Sequence, residues 1–306
     1  QFDAASAQKQ VGPRSQNVSM ESPIGRVRRR QLRTDGGGLK LRYYIFDWDD
    51  NVVHMPTRIW MEDEEGTPVP LSTAEFAKRR GEPGLRFMGN DAQAAFREFN
   101  DDDGDFVGDL RRAMEGDAWK GPAFREFKQA IIEGRLFAIV TARSHREATL
   151  RRGVARFIDA VLSADERREM MGSLREFNDV AAASLDDDEA LEEYLRLCHF
   201  VGVSSPDFQQ STGVDHPEEG KRYAIRRFVE STLALADEAF SRKGREISSI
   251  SFGMSDDDKK NVAAVEALMR DELSPAYPHV KFVVFDTGSG RTSRLNSHLA
   301  LRSEEM

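Results

Sequence analysis

One cysteine, Cys198, is present in 306 residues. No internal disulfide can form, and a cysteine-rich zinc centre is excluded. The six histidines include no HxxxH pair or other ligand spacing, so a histidine-based metal site is not expected. No apolar run approaches the ~20 residues needed to span a bilayer, and no membrane partner is expected. Positive charge is not in excess: the formal net charge is -9, which argues against nucleic-acid binding over the whole surface. The chain starts at Gln1 with no methionine and no apolar leader, so no signal peptide is read and a reducing, cytoplasmic setting is expected.

A chain of this length can bury one large core, or a core with a smaller inserted unit. Strand-like apolar runs alternate with helical patterns, which predicts an α/β fold with a parallel sheet covered on both faces. The runs are 41–46, 135–144 (RLFAIVTARS), 198–205 (CHFVGVSS), 246–254 (EISSISFGM) and 279–288 (HVKFVVFDTG). Helices are expected from Thr73, from Asn90 to Asn100, after Pro122, from about Arg146 to Phe157, through 163–197 with a break near Leu185, across 220–240, and over 259–273. The run 54–72, with Pro56, Pro68 and Pro70, reads as a hairpin or flap turning at Glu65-Gly66. The acidic run NDDDGD at 100–105 has Arg111 where a calcium loop needs glutamate, so it reads as a turn. The expected organisation is a flexible basic tail at 1–40, a core made of 41–53 and 119–290, an insertion at 54–118, and a polar tail at 291–306.

The first strand runs into YYIFDWDDNVV at 43–53. It delivers Asp47 and Asp49 to the carboxyl edge of the sheet, where open α/β folds bind ligands. Other strands end at Thr141-Ala142-Arg143 and at Ser255-Asp256-Asp257-Asp258, and Lys221 opens the helix after the third strand. These residue types together suit phosphoryl transfer. One carboxylate attacks phosphorus, and a second handles the proton. A hydroxyl and a lysine hold the phosphoryl oxygens, and oxygen ligands hold a divalent cation.

In order and spacing these pieces resemble the haloacid dehalogenase (HAD) superfamily, whose members are mostly Mg²⁺-dependent phosphohydrolases. DWDDNVV is similar to the first motif of that family, FAIVTAR to the second, Lys221 to the third and SFGMSDDDKKN to the fourth. The resemblance implies a Rossmann-like HAD core with a small inserted cap over residues 54–118. It implies Asp47 as nucleophile, Asp49 as general acid/base, Thr141 and Lys221 as phosphoryl-binding groups, and Mg²⁺ held by Asp47, Asp49 through its backbone carbonyl, and Asp257, with Asp256 and Asp258 as alternates. Asn51 departs from the Thr or Val usual at its place in the first motif.

Other readings stay open on the residues alone. Asp47 and Asp49 can be a strand-end turn, Thr141 a helix cap, Lys221 a surface lysine, and Asp256–Asp258 a cap on the next helix. Arg143 and His145 can touch substrate or stand exposed at a helix start. His54 reads as a packed or flap residue, and Trp48 as shaping the leaving-group side or packing between strands, with packing the default. Arg58, Trp60, Arg79, Arg80, Arg86 and Phe87 in the insertion can meet an anionic or aromatic substrate, with surface roles as the default. The expected activity is hydrolysis of a small phosphorylated substrate. Alternatives are a nucleic-acid end-processing phosphatase guided by the basic run 25–33, a phosphotransferase, and a non-catalytic phospho-accepting signalling module.

Overall fold

The computed structural model describes residues 39–176, 186–241 and 247–295. The expected basic tail lies outside the described residues except for its last two positions.

Among the described residues, six strands form one sheet: β1 (Leu39–Phe46), β5 (Phe137–Thr141), β6 (His199–Gly202), β7 (Ile247–Asp256), β8 (Val280–Asp286) and β9 (Arg291–Leu295). Their order is β6-β5-β1-β7-β8-β9. All neighbours are parallel except β8 and β9. The α/β class is therefore as expected, and the arrangement is compatible with a Rossmann-like fold.

The reason lies in the side chains. Every residue of β5 is buried, as a strand covered on both faces requires. From β1 the chain moves outward to β5 and β6, then crosses back to β7 and β8 on the other side. That reversal is a topological switch point at β1, the place where open α/β sheets bind ligands beyond the carboxyl ends of their strands. The helices between strands include α1 (Thr73–Arg79), α4 (Phe124–Ile132), α5 (Glu147–Val161), α8 (Pro206–Thr212), α9 (Pro217–Ser241) and α10 (Lys259–Leu268). An aromatic block lies beneath the end of β1. Trp48 meets Phe127 and Phe157 edge-on at 5.7 and 5.4 Å between ring centroids. These rings are fully buried, so Trp48 packs, as expected. Cys198 is buried as well, and burial pushes its thiol up to about 12.

The insertion has its own small sheet. Strands β2 (Ile59–Glu62) and β3 (Pro68–Leu71) form the expected hairpin, with Ile59 opposite Leu71. The short strand β4 (Arg86–Phe87) pairs on the other side of β2. Both prolines of β3 therefore sit on an edge strand, where the missing N–H is tolerated. Ile59, Met61, Leu71 and Phe99 form a separate hydrophobic cluster. Helix α3 (Phe106–Met114) is different, since its Phe106, Leu110 and Ala113 pack into the main core. The unit with its own core is thus narrower than 54–118.

Two details differ from the sequence reading. The helix expected over 90–100 is a series of short turns, α2 (Ala92–Ala95) flanked by 3₁₀ turns. Gly89 and Asn90 there take positive φ, which interrupts a regular helix. Residues 291–295 are not a loose tail but the edge strand β9. Segment 163–197 agrees with the reading: among the described residues it holds α6 (Ala164–Glu176) and α7 (Asp187–Leu197), and Asp186, within the expected break, caps α7 in a capping box with Glu189.

Candidate active site

Asp47 follows β1 directly, and its backbone N–H donates to the Ser255 carbonyl of β7 at 3.0 Å. This ties it to the strand that carries Asp256. Lys221, in the first turns of α9, reaches both acids. Its Nζ donates to Asp47 Oδ1 and to Asp256 Oδ2, each at 2.8 Å. The ammonium and both carboxylates are almost wholly buried, which excludes the surface-lysine reading. Burial alone would lower the Lys221 pKa, but Asp256 and Asp47 outweigh it and raise the value. Lys221 is therefore a fixed positive charge.

Oxygen atoms of Asp47, Asp256 and Asp257 lie within 4.8 Å of one another. Three carboxylates around one ammonium leave negative charge in excess when all are ionised. Burial, followed by the charges of Asp256 and Asp50, pushes Asp257 up to about 7. Burial also raises Asp47 well above the carboxylate range, against the pull of Lys221. An all-oxygen donor set with surplus negative charge fits a hard divalent cation such as Mg²⁺. Asp256 stands in this group beside Asp257. Asp258 is turned away to cap α10, accepting from the Lys260 N–H at 2.7 Å.

The Asn51 side chain is buried and fully engaged. Its Nδ2 donates to the carbonyls of Asp47 and Ser255 and to Ser255 Oγ, at 3.0, 3.1 and 2.9 Å. Its Oδ1 accepts from Thr287 Oγ1 at 2.8 Å. Asn51 thus clasps the ends of β1, β7 and β8. Behind Asp257, the turn after β8 comes close: a Cβ on Gly288 would lie 2.5 Å from the Asp257 carbonyl oxygen. A side chain at that place would push the turn away from the carboxylates.

Asp49 faces a second set of partners. Both its oxygens accept from Arg143, Oδ2 from Nε at 2.8 Å and Oδ1 from Nη2 at 2.7 Å. Thr141 Oγ1 lies 3.4 Å from Asp49 Oδ2, a long contact that leaves the hydroxyl able to serve another acceptor. Arg143 and His145 are both buried, so the exposed helix-start reading is corrected for both. A strand end followed by polar residues looks solvated in sequence; here the insertion covers it. Burial, then the Arg143 charge, pushes His145 down to about 4. His54 is exposed in the flap and pairs with Asp50 Oδ1 at 2.9 Å.

Several of the insertion's candidate substrate contacts serve local structure. Arg58, Arg79 and Arg86 pair with Glu75, Glu82 and Glu62, and Trp60 Nε1 donates to Glu98 at 2.7 Å. Residues 100–105 form the expected turn, with the Asn100 side chain accepting from the N–H groups of Asp102 and Asp103. Among the described residues, no helix is long and apolar enough to cross a membrane. Comparisons of the chain with protein-family models, with curated proteins and with solved structures give no match.

Proposed function

We propose that the chain is a Mg²⁺-dependent phosphomonoester hydrolase of the haloacid dehalogenase type, acting on a small phosphorylated substrate through an aspartyl-phosphate on Asp47. One observation carries this reading: a buried lysine bridges Asp47 and Asp256 at 2.8 Å each, at the switch point of the sheet. Lys221 occupies one oxygen of Asp47 and so orients the carboxylate, leaving the other oxygen to attack phosphorus. Thr141 Oγ1 and Lys221 Nζ supply donors for the phosphoryl oxygens, where charge collects in the transition state. As the phosphorus–oxygen bond to the leaving group breaks, Asp49 gives that oxygen a proton. It then takes a proton from the water that attacks phosphorus and releases Asp47. Asp47, Asp256 and Asp257, with the Asp49 backbone carbonyl by resemblance, would hold Mg²⁺, which neutralises charge on the nucleophile and the phosphoryl group when bound.

The test is hydrolysis of 4-nitrophenyl phosphate. Asp47→Asn is expected to lower kcat by more than about 10⁴-fold, and EDTA to abolish turnover until Mg²⁺ is restored. Undiminished turnover by Asp47→Asn overturns the reading. A second reading, a phospho-accepting module or phosphotransferase, draws on the engagement of both Asp49 oxygens by Arg143. If Asp49 were kept from water, a phosphoryl group on Asp47 would persist, and it would be found by mass spectrometry after incubation with acetyl phosphate. A role for the basic run 25–33 in finding nucleic-acid ends would show as salt-sensitive oligonucleotide binding that deletion of residues 1–38 removes.

A further inference from the structure

Arg143 is 1 % exposed and lies within the protein rather than on it. Its guanidinium lies over Phe99 and Phe106, with centroid distances of 4.7 and 5.2 Å. Its fork grips both oxygens of Asp49. A third bond runs from Nη2 to Thr57 Oγ1 at 2.7 Å, and Thr57 in turn donates to Asp109 Oδ2 at 2.6 Å. Thr57 and Asp109 are buried, and Asp109 also pairs with Arg112. The direction of this chain is fixed by chemistry. Arginine only donates and an ionised carboxylate only accepts, so residue 57 must do both, as a hydroxyl can.

The Arg143 loop is held from both sides. The Ser144 N–H donates to the Phe99 carbonyl at 2.9 Å, and the Arg146 N–H to Asp101 Oδ2 at 2.8 Å. On the sheet side, Gly202 lets the loop close on β6: a Cβ there would lie 2.3 Å from the His145 carbonyl and 2.8 Å from that of Arg143. Phe99, Asp101, Thr57 and Asp109 all belong to the segment 54–118. The insertion is thereby joined to one carboxylate of the proposed site by a continuous buried path.

We propose that Arg143 is a positioning residue for Asp49, and that Thr57, held on Asp109 of α3, makes this positioning depend on the seated insertion. The proposal rests on the hydrolase reading. A carboxylate has about four acceptor sites; the fork takes one on each oxygen and leaves others for a proton in transit. The bidentate grip fixes the side-chain torsions of Asp49, and the aromatic rings and Thr57 fix the grip.

The test is a double-mutant cycle on the full chain, with 4-nitrophenyl phosphate and an alkyl phosphate as substrates. Arg143→Gln is expected to lower kcat on the order of 10²-fold with little change in KM, and to slow the alkyl substrate more, because its leaving oxygen depends on Asp49 for a proton. Asp49→Asn/Arg143→Gln should be no slower than Asp49→Asn alone. Thr57→Val, which keeps shape and loses one bond on each side, should cost about 5-fold with the fold intact. Guanidinium ion should restore part of the activity of Arg143→Ala. Additive losses in the cycle, equal slowing of both substrates, or faster turnover by Arg143→Gln would each overturn the proposal; the last would mean that Arg143 sequesters Asp49. A reading independent of turnover is the Arg143 side-chain NH signal in NMR. It should shift in both Asp49→Asn and Thr57→Val, and an unchanged signal overturns the coupling even if the wild-type chain hydrolyses nothing. Absence of turnover with shifted signals would instead count against the hydrolase reading alone.

Discussion

Two aspartates two residues apart live in opposite electrostatic worlds. On the lysine side, Asp47 shares a single ammonium with Asp256, and Asp257 stands close by with no cation paired to it among the described residues. On the arginine side, Asp49 has a guanidinium to itself, matched oxygen for nitrogen. The first arrangement is short of positive charge and suits an added cation. The second is balanced, one guanidinium to one carboxylate. Burial is similar in kind on both sides, so the ratio of charges makes the difference.

This contrast can be broken at its centre first. Lys221→Met removes the ammonium that Asp47 and Asp256 share and leaves buried carboxylates face to face. A loss of about 3–5 kcal/mol is expected in urea unfolding. Mg²⁺ should recover part of that loss, whereas it should recover none of the loss in Arg143→Gln. Equal recovery in the two variants would erase the contrast.

The pH dependence sharpens it. Asp257 binds its proton more tightly folded than unfolded, with a value raised from 3.8 to about 7. Metal-free stability from this group therefore falls as pH rises from about 4 through 7, and levels off above. Asp47 acts in the same direction. His145 acts oppositely: its value falls from 6.5 to about 4, so its contribution is lost as pH falls through that window. Thermal midpoints of wild type minus Asp257→Asn cancel the histidine. That difference should decline between pH 4 and 7, and less steeply with Mg²⁺ present. A flat difference would mean that Asp257 is not held among carboxylates.

The smallest effect belongs to the clasp behind both sides. Thr287→Val removes the hydroxyl that satisfies Asn51 Oδ1 and should cost about 1–3 kcal/mol in urea unfolding, as an unsatisfied buried acceptor does. No change in the unfolding midpoint would mean that the clasp contributes nothing to holding the three strand ends.

The lysine side was readable from sequence and the arginine side was not. Strands β1 and β7 announce themselves as apolar runs that stop at acidic residues, and those stops locate Asp47, Asp256 and Asp257. Lys221 was placed by resemblance, and its pairing needed the fold. Arg143 carries no local mark of burial, because its partners Thr57 and Asp49 lie 86 and 94 residues away. Asn51 was visible as a departure, but Ser255 and Thr287, the residues that explain it, are more than 200 positions distant. Strand β9 was missed for a different reason. RTSRL has no apolar alternation, and its place at the edge of the sheet comes from pairing with β8.

The buried Cys198 has a practical consequence. Its thiol is held near 12, far above working pH, so it is almost never a thiolate and is shielded from reagents. A cysteine introduced on the exposed surface of the insertion, at Glu65 for example, and another on the exposed face of α5 can carry a dye pair without background labelling. The native chain is thus ready for single-molecule distance measurements, in which the seating of the insertion is watched directly as phosphate mimics are added.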